Sequence, residues 1–199
     1  MDVTRVSALR EVLSGSPLLD STRSFAGSLR RAVTRRSALG LLLVGSAGYE
    51  PWHLAAHLDD EASWSRLPGL APTLIRHQVP DPATAAPQLR HDLRRLAAAG
   101  RGETVLVVTP RDPGGALLER VHDARRGGAT VLALAADAPE LAGLADESLT
   151  VESPDEPGFD LVQHLVSAAA GERPRSRFAG LAGLSRLVGQ FTTEPVNRW

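Results

Sequence analysis

The chain contains no cysteine and no lysine. Without cysteine there are no disulfides, no thiolate metal ligands and no cysteine nucleophile. Without lysine there is no Schiff-base chemistry and no lysine general base. All 22 basic residues are arginine, and 23 acidic residues balance them to a formal net charge of −1. That near-neutrality gives no bulk attraction to nucleic acid or to an anionic membrane, so neither is expected as a partner. Long hydrophobic runs are also missing. The longest, Leu39 to Val44, is far too short to span a bilayer. The stretch MDVTRVSALREVL has no basic segment followed by an apolar one, so no signal peptide is expected and the protein reads as cytoplasmic. With 199 residues, the chain is about the length of one domain and can bury a sizeable core.

What is present alternates between two periodicities. Val6, Leu9, Val12 and Leu13 recur at helical spacing. Asp20, Ser21 and Thr22 are positioned to cap a second helix running through Phe25, Leu29 and Val33 to about Arg36. Its Arg30, Arg31, Arg35 and Arg36 read as a solvated helix face whose cations favour the carboxyl end of the dipole. LGLLLVG, ETVLVVT and ATVLALAAD are near-continuous apolar runs, as expected of strands covered on both faces of a parallel sheet. TLIRHQV and ESLTVES are further strand candidates. Helices are expected after Pro51, with Trp52, Ala55, Ala56 and Leu58 on the packed side, and over 88–99, 114–126, 140–144 and 160–170. Strands alternating with helices over short connections define an α/β domain with a parallel sheet. Residues 1–36 are read as helices packing on the domain, 37–171 as the α/β domain, and 172–199 as a linker and amphipathic tail. In that tail Phe178, Leu181, Leu184, Leu187, Val188 and Phe191 share a face.

This order of elements resembles a sugar isomerase (SIS) domain, and within that group the phosphoheptose isomerase branch. The similarity covers about Asp20 to Gly171 and rests on three stretches. GSAGYEPWHLAAHL is similar to the family's glycine loop and following helix. VLVVTPRDPGG is similar to its phosphate strand and loop, with Thr109 and Arg111 on matching positions. DLVQHLVSAAAG is similar to a closing helix bearing Gln and His. The resemblance implies a three-layer sandwich around a flavodoxin-like sheet of order 2-1-3-4-5, preceded by N-terminal helices. It also implies a homodimer or homotetramer and a sugar phosphate as ligand.

The candidate site residues follow from these stretches. The loop Gly45-Ser46-Ala47-Gly48 joins a strand to a helix; the resemblance places Ser46 and Gly48 in the sugar pocket, while a tight connection needs nothing more than its glycines. Thr109 and Arg111 are the implied phosphate contacts. Asp112 replaces a family glycine there. Standing before Pro113, it reads as an N-cap whose carboxylate takes the N–H groups a phosphate would need. Two unit charges about 4 Å apart at an effective dielectric of about 20 repel by about 4 kcal/mol. The ordinary phosphate cradle is therefore expected to be closed, leaving Ser46, Thr109 and Arg111 for any anion.

His53 and His57, spaced i, i+4, project from one helix face and are spaced to share a metal ion. The plainer alternative is two ordinary histidines, one paired with Glu50 or Glu61. The resemblance adds His164 as a third ligand and zinc as the implied cofactor. An enediol isomerisation needs a base beside the sugar's C1 and C2, and His57, His164 and Glu50 are the candidates. The altered loops favour a non-catalytic, regulatory or protein-binding module. A phosphosugar isomerase with a remodelled site and a structural or assembly protein are the alternatives.

Overall fold

In a computed structural model of the chain, the described residues are 17–79, 89–152 and 158–172. The expected helix around residues 5–14 and the apolar tail face lie outside them. In chain order the elements are α1 (Pro17–Thr34), β1 (Gly40–Val44), α2 (Trp52–Ser65), β2 (Pro72–Ile75), α3 (Leu93–Ala97), β3 (Glu103–Thr109), α4 (Gly115–Arg126), β4 (Thr130–Ala135), α5 (Pro139–Leu144), β5 (Glu147–Thr150) and α6 (Gly158–Gly171).

The five strands form one sheet in the order β2-β1-β3-β4-β5, with every pairing parallel. This is the expected flavodoxin-like arrangement. Side chains alternate across it. Leu41, Leu43, Leu106, Val108, Leu132 and Leu134 join one core with Phe25 and Leu29 of α1, Leu54 and Leu58 of α2, and Phe159 and Val166 of α6. Leu42, Val44, Val105, Val107, Val131 and Ala133 join the other with Leu96, Leu117, Val121 and Leu141 from α3, α4 and α5. Two covered faces explain why the strands read as continuous apolar runs. Each fully buried Leu or Val stabilises the fold by roughly 1.5–3 kcal/mol.

Local details differ from the sequence reading where polar groups found other partners. Helix α1 already includes Pro17, so Asp20 lies in its first turn and Thr22 is buried instead of capping. Arg30 of α1 and Arg35 just past its end act as clamps. Arg30 Nη1 donates to the carbonyls of Ala170 and Gly171 at 2.9 and 3.2 Å, closing the end of α6, and Arg35 donates to Thr130 Oγ1 at 2.8 Å. Helix α2 buries Leu54, Leu58 and Ala62, while Trp52 and Ala56 face outward. The helix expected over 88–99 shortens to α3, because the Asp92 carboxylate accepts from the backbone N–H groups of Arg94 and Arg95 and starts the helix there. No helix among the described residues is long and apolar enough to cross a membrane.

Candidate functional site

Strand order reverses between β1 and β3: the chain goes from β1 to β2 on one side and from β3 to β4 and β5 on the other. The loops leaving neighbouring strands at such a point diverge and open a crevice at their carboxyl ends. A cavity of about 440 Å³ lies there, lined by Ser46–Tyr49 after β1, Pro110–Gly114 after β3, and Phe159 and Asp160 at the start of α6.

The first loop is fixed by Gly45. A Cβ there would sit 1.8 Å from the Tyr49 carbonyl oxygen and 2.8 Å from Pro51 Cδ, so only glycine fits. The chain turns at once, with Tyr49 N–H donating to Ser46 O at 3.1 Å. His77, on the segment after β2, holds the Gly45 carbonyl within 2.8 Å of its Nε2. Gly48 has open space around it, and nothing lies within 4 Å of an added Cβ. The turn directs Tyr49 onto Phe159, edge to face at 5.8 Å. Gln163, only 2% exposed, donates to the Tyr49 hydroxyl at 2.8 Å and to Asp160 Oδ1 at 3.0 Å. One buried amide thus orients an aromatic wall and a carboxylate.

The second loop satisfies itself. Thr109 is fully buried, and its hydroxyl donates to Arg111 O at 2.7 Å and accepts from Arg111 N–H at 3.3 Å. The Thr109 side chain therefore shapes the loop from behind the cavity. Asp112 does not cap the helix directly, as its sequence position suggested. The N-cap is Gly114, at φ 78°, and Asp112 Oδ1 accepts from Gly114 N–H at 2.9 Å. A positive φ, which glycine tolerates, moves the helix start two residues past Pro113. The carboxylate still occupies one loop N–H, and in the first turn of α4 the Leu117 N–H already donates to Gly114 O at 3.1 Å, which leaves the N–H groups of Gly115 and Ala116 without an intrahelical acceptor.

Of the six expected ligand contacts, Ser46, Gly48, Arg111 and Asp112 line the cavity, and Gly45 and Thr109 support it from beneath. The three candidate bases do not line it. Glu50 is bound to Arg76, with Nε and Nη2 contacts of 3.1–3.2 Å, and the Arg76 guanidinium lies 5.2 Å from the centre of a Trp52 ring. His57 and His164 meet where α2 packs on α6, their ring centres 4.0 Å apart and their planes at 63°. Burial lowers the pKa of both below 6.5. For His57, Asp60 opposes this and His53 adds to it; for His164, His57 adds to it, Asp160 opposes it and His53 adds again.

Among the described residues no group of three or more His, Cys, Asp or Glu side chains is arranged to hold a metal. His53, His57 and His164 do not form such a group. Tyr49, bulky where the family is small, was expected to narrow the pocket and does line it, whereas Phe159, Asp160, Gln163 and His77 were given no site role from sequence. Gln163 and Asp160 lay within the matched closing-helix stretch, but nothing in their spacing announced a wall and a carboxylate held by one amide.

No protein-family model matches the chain, and no curated protein matches it. Solved structures do. The sugar isomerase domain of an RpiR transcription factor from Sphaerobacter thermophilus aligns with a TM-score of 0.50 at 16% identity, over 74% of this chain and 76% of that one. A putative sugar binding protein from Salmonella typhimurium LT2 aligns with a TM-score of 0.53 at 22% identity, over 86% of this chain. The alignment spans half of the Salmonella chain's length. At these identities the likeness is one of fold. The chain has an α/β fold of the sugar isomerase domain type, and its crevice lies at the point of the sheet where such folds place ligands.

Proposed function

We propose that this chain is a carbohydrate-binding module with the sugar isomerase fold. It holds a sugar derivative in the cavity between the two loops and acts by binding, in a regulatory or protein-interacting role, without isomerising the ligand. The observation that carries this reading is the separation of chemistry from cavity. The loops and Asp160 surround the crevice, whereas Glu50 is committed to Arg76, and His57 and His164 pack against each other and are not among its lining residues. A general base must come within hydrogen-bond reach of the proton it removes. The fold neighbours, one a domain of a transcription factor and one a putative sugar binding protein, support a binding role. Self-association into a dimer or tetramer is part of the same proposal, supported by Leu39 and Trp64, which are 75% and 60% exposed.

The test is proton exchange in D₂O. An enediol route exchanges the proton on the carbon beside the carbonyl even when net conversion is slow. Full-length protein at stoichiometric concentration is expected to leave glucosamine 6-phosphate and sedoheptulose 7-phosphate unlabelled. Deuterium incorporation that Glu50→Gln, His57→Gln or His164→Gln abolishes would instead establish the remodelled isomerase.

A further inference from the structure

The charges around the cavity are the reverse of what a phosphate requires. Its ionisable lining is Arg111, Asp112 and Asp160, and two carboxylates against one guanidinium leave a net charge of −1. No arginine pairs with Asp112 or Asp160 among the ion pairs of the described residues. Asp160 does have His164 one turn along α6, but burial lowers that imidazole's pKa and works against its carrying a neutralising charge.

Helix amino ends ordinarily compensate by offering free N–H groups and a partial positive charge. Two frame this cavity, α4 through Gly114 and α6 through Phe159 and Asp160. Each has a carboxylate of its own chain. Asp160 lies in the first turn of α6, and Asp112 stands before α4 with Oδ1 on Gly114 N–H. The Arg111 N–H is likewise taken, by Thr109 Oγ1. A phosphate reaching for the remaining α4 donors would pass the Asp112 carboxylate.

The same lining suits a cation. Tyr49, half-buried in the lining against the fully buried Phe159, presents aromatic surface, and ring faces attract ammonium groups while offering a phosphate nothing. The arrangement is built into the fold, because the buried Gln163 amide donates to both the Tyr49 hydroxyl and Asp160 Oδ1. Ser46 and Arg111 remain to donate to hydroxyl and ring oxygens.

Resting on the reading that this cavity holds a carbohydrate derivative, we propose that its ligand carries a protonated amine and no phosphate: an unphosphorylated amino sugar or aminated polyol. The ammonium sits between Asp112 and Asp160 against the Tyr49 ring.

The experiment is titration of the full 199-residue chain, by calorimetry or ligand-observed NMR near pH 6.5, with glucosamine, N-acetylglucosamine, glucose and glucose 6-phosphate. N-Acetylglucosamine keeps the nitrogen and removes its charge. The expected result is glucosamine at least tenfold tighter than glucose and N-acetylglucosamine, with glucose 6-phosphate weaker than glucose. Asp112→Asn and Asp160→Asn, each checked by thermal melting to be folded, should each lower the glucosamine-to-glucose affinity ratio several-fold. Glucose binding with no gain from the amine, or tightest binding by glucose 6-phosphate, overturns this inference and leaves the carbohydrate-binding function standing. Binding of none of the four overturns both. A glucosamine preference that survives both substitutions overturns the assignment of the carboxylates.

Discussion

Replacing Gly45 with alanine tests how the cavity's first loop is made. The new methyl would sit 1.8 Å from the Tyr49 carbonyl oxygen, 2.9 Å from its carbon and 2.8 Å from Pro51 Cδ. Two of those atoms are backbone, and the third belongs to a rigid ring at the N-cap of α2, so no side chain can swing aside. The turn must open. Overpacking of this kind costs about 1–3 kcal/mol. Losing the Tyr49 N–H bond to Ser46 O adds about 1 kcal/mol. For a chain of this length each kcal/mol moves the melting temperature by roughly 2–4 °C, so a fall of roughly 5–15 °C is expected. Gly48→Ala is the control. It lies three residues away in the same loop, nothing lies within 4 Å of its added Cβ, and its φ is not positive. Its effect should stay within about 0.5 kcal/mol. Thermal unfolding followed by circular dichroism measures both. Equal melting temperatures for the two variants would refute the argument that Gly45 is held by close backbone approach.

Other outcomes follow from the same structure. Glu50→Gln leaves the mostly buried Arg76 without its carboxylate and should cost about 1–3 kcal/mol in denaturant unfolding, with sugar affinity unchanged; a large loss of affinity at constant stability would place Glu50 in the site. His57 and His164 have folded pKa values lowered from 6.5, so the unfolded chain binds more protons once the pH falls below that value. Their contribution is complete above about pH 6.5 and is lost as the pH falls toward the lowered folded values. The melting temperature should therefore drop between about pH 7 and pH 5.5, and the drop should shrink in His57→Gln/His164→Gln; an equal drop in that variant would show that other groups are responsible. Light scattering at micromolar concentration should give at least twice the chain mass of 21.1 kDa, and a monomer would remove self-association from the account.

The fold was largely legible because burial on both sheet faces leaves a plain trace. Leu41–Val44, Val105–Val108 and Val131–Ala135 are apolar at nearly every position, and little besides a covered parallel strand produces that pattern in so few residues. The loops were readable in position but not in detail. Asp112-Pro113 has the composition of a helix start, yet Gly114 at φ 78° carries the chain further before α4 begins, which depends on a dihedral that composition does not specify. Thr109 matched a hydroxyl position, but its hydroxyl turned to Arg111's own backbone. Glu50 and His57 were attractive as bases because acids and histidines near a glycine loop often are. Arg76 and His164, the partners that engage them, come from other elements far along the chain. The cavity's aromatic wall and its Asp160 carboxylate likewise depend on α6, which begins at Gly158, packing beside α2, which ends at Ser65, with Gln163 and Tyr49 separated by 114.

The central claim is that this crevice binds a carbohydrate derivative. A ¹H–¹⁵N correlation titration of the full chain with glucosamine tests it directly. Saturable shifts are predicted for the amides of Ser46–Tyr49, Arg111, Asp112, Gly114 and Phe159–Asp160, with those of His53 and His57 undisturbed. Shifts centred on the α2–α6 histidines, or no saturable shifts in either loop with any of the four sugars, would contradict it.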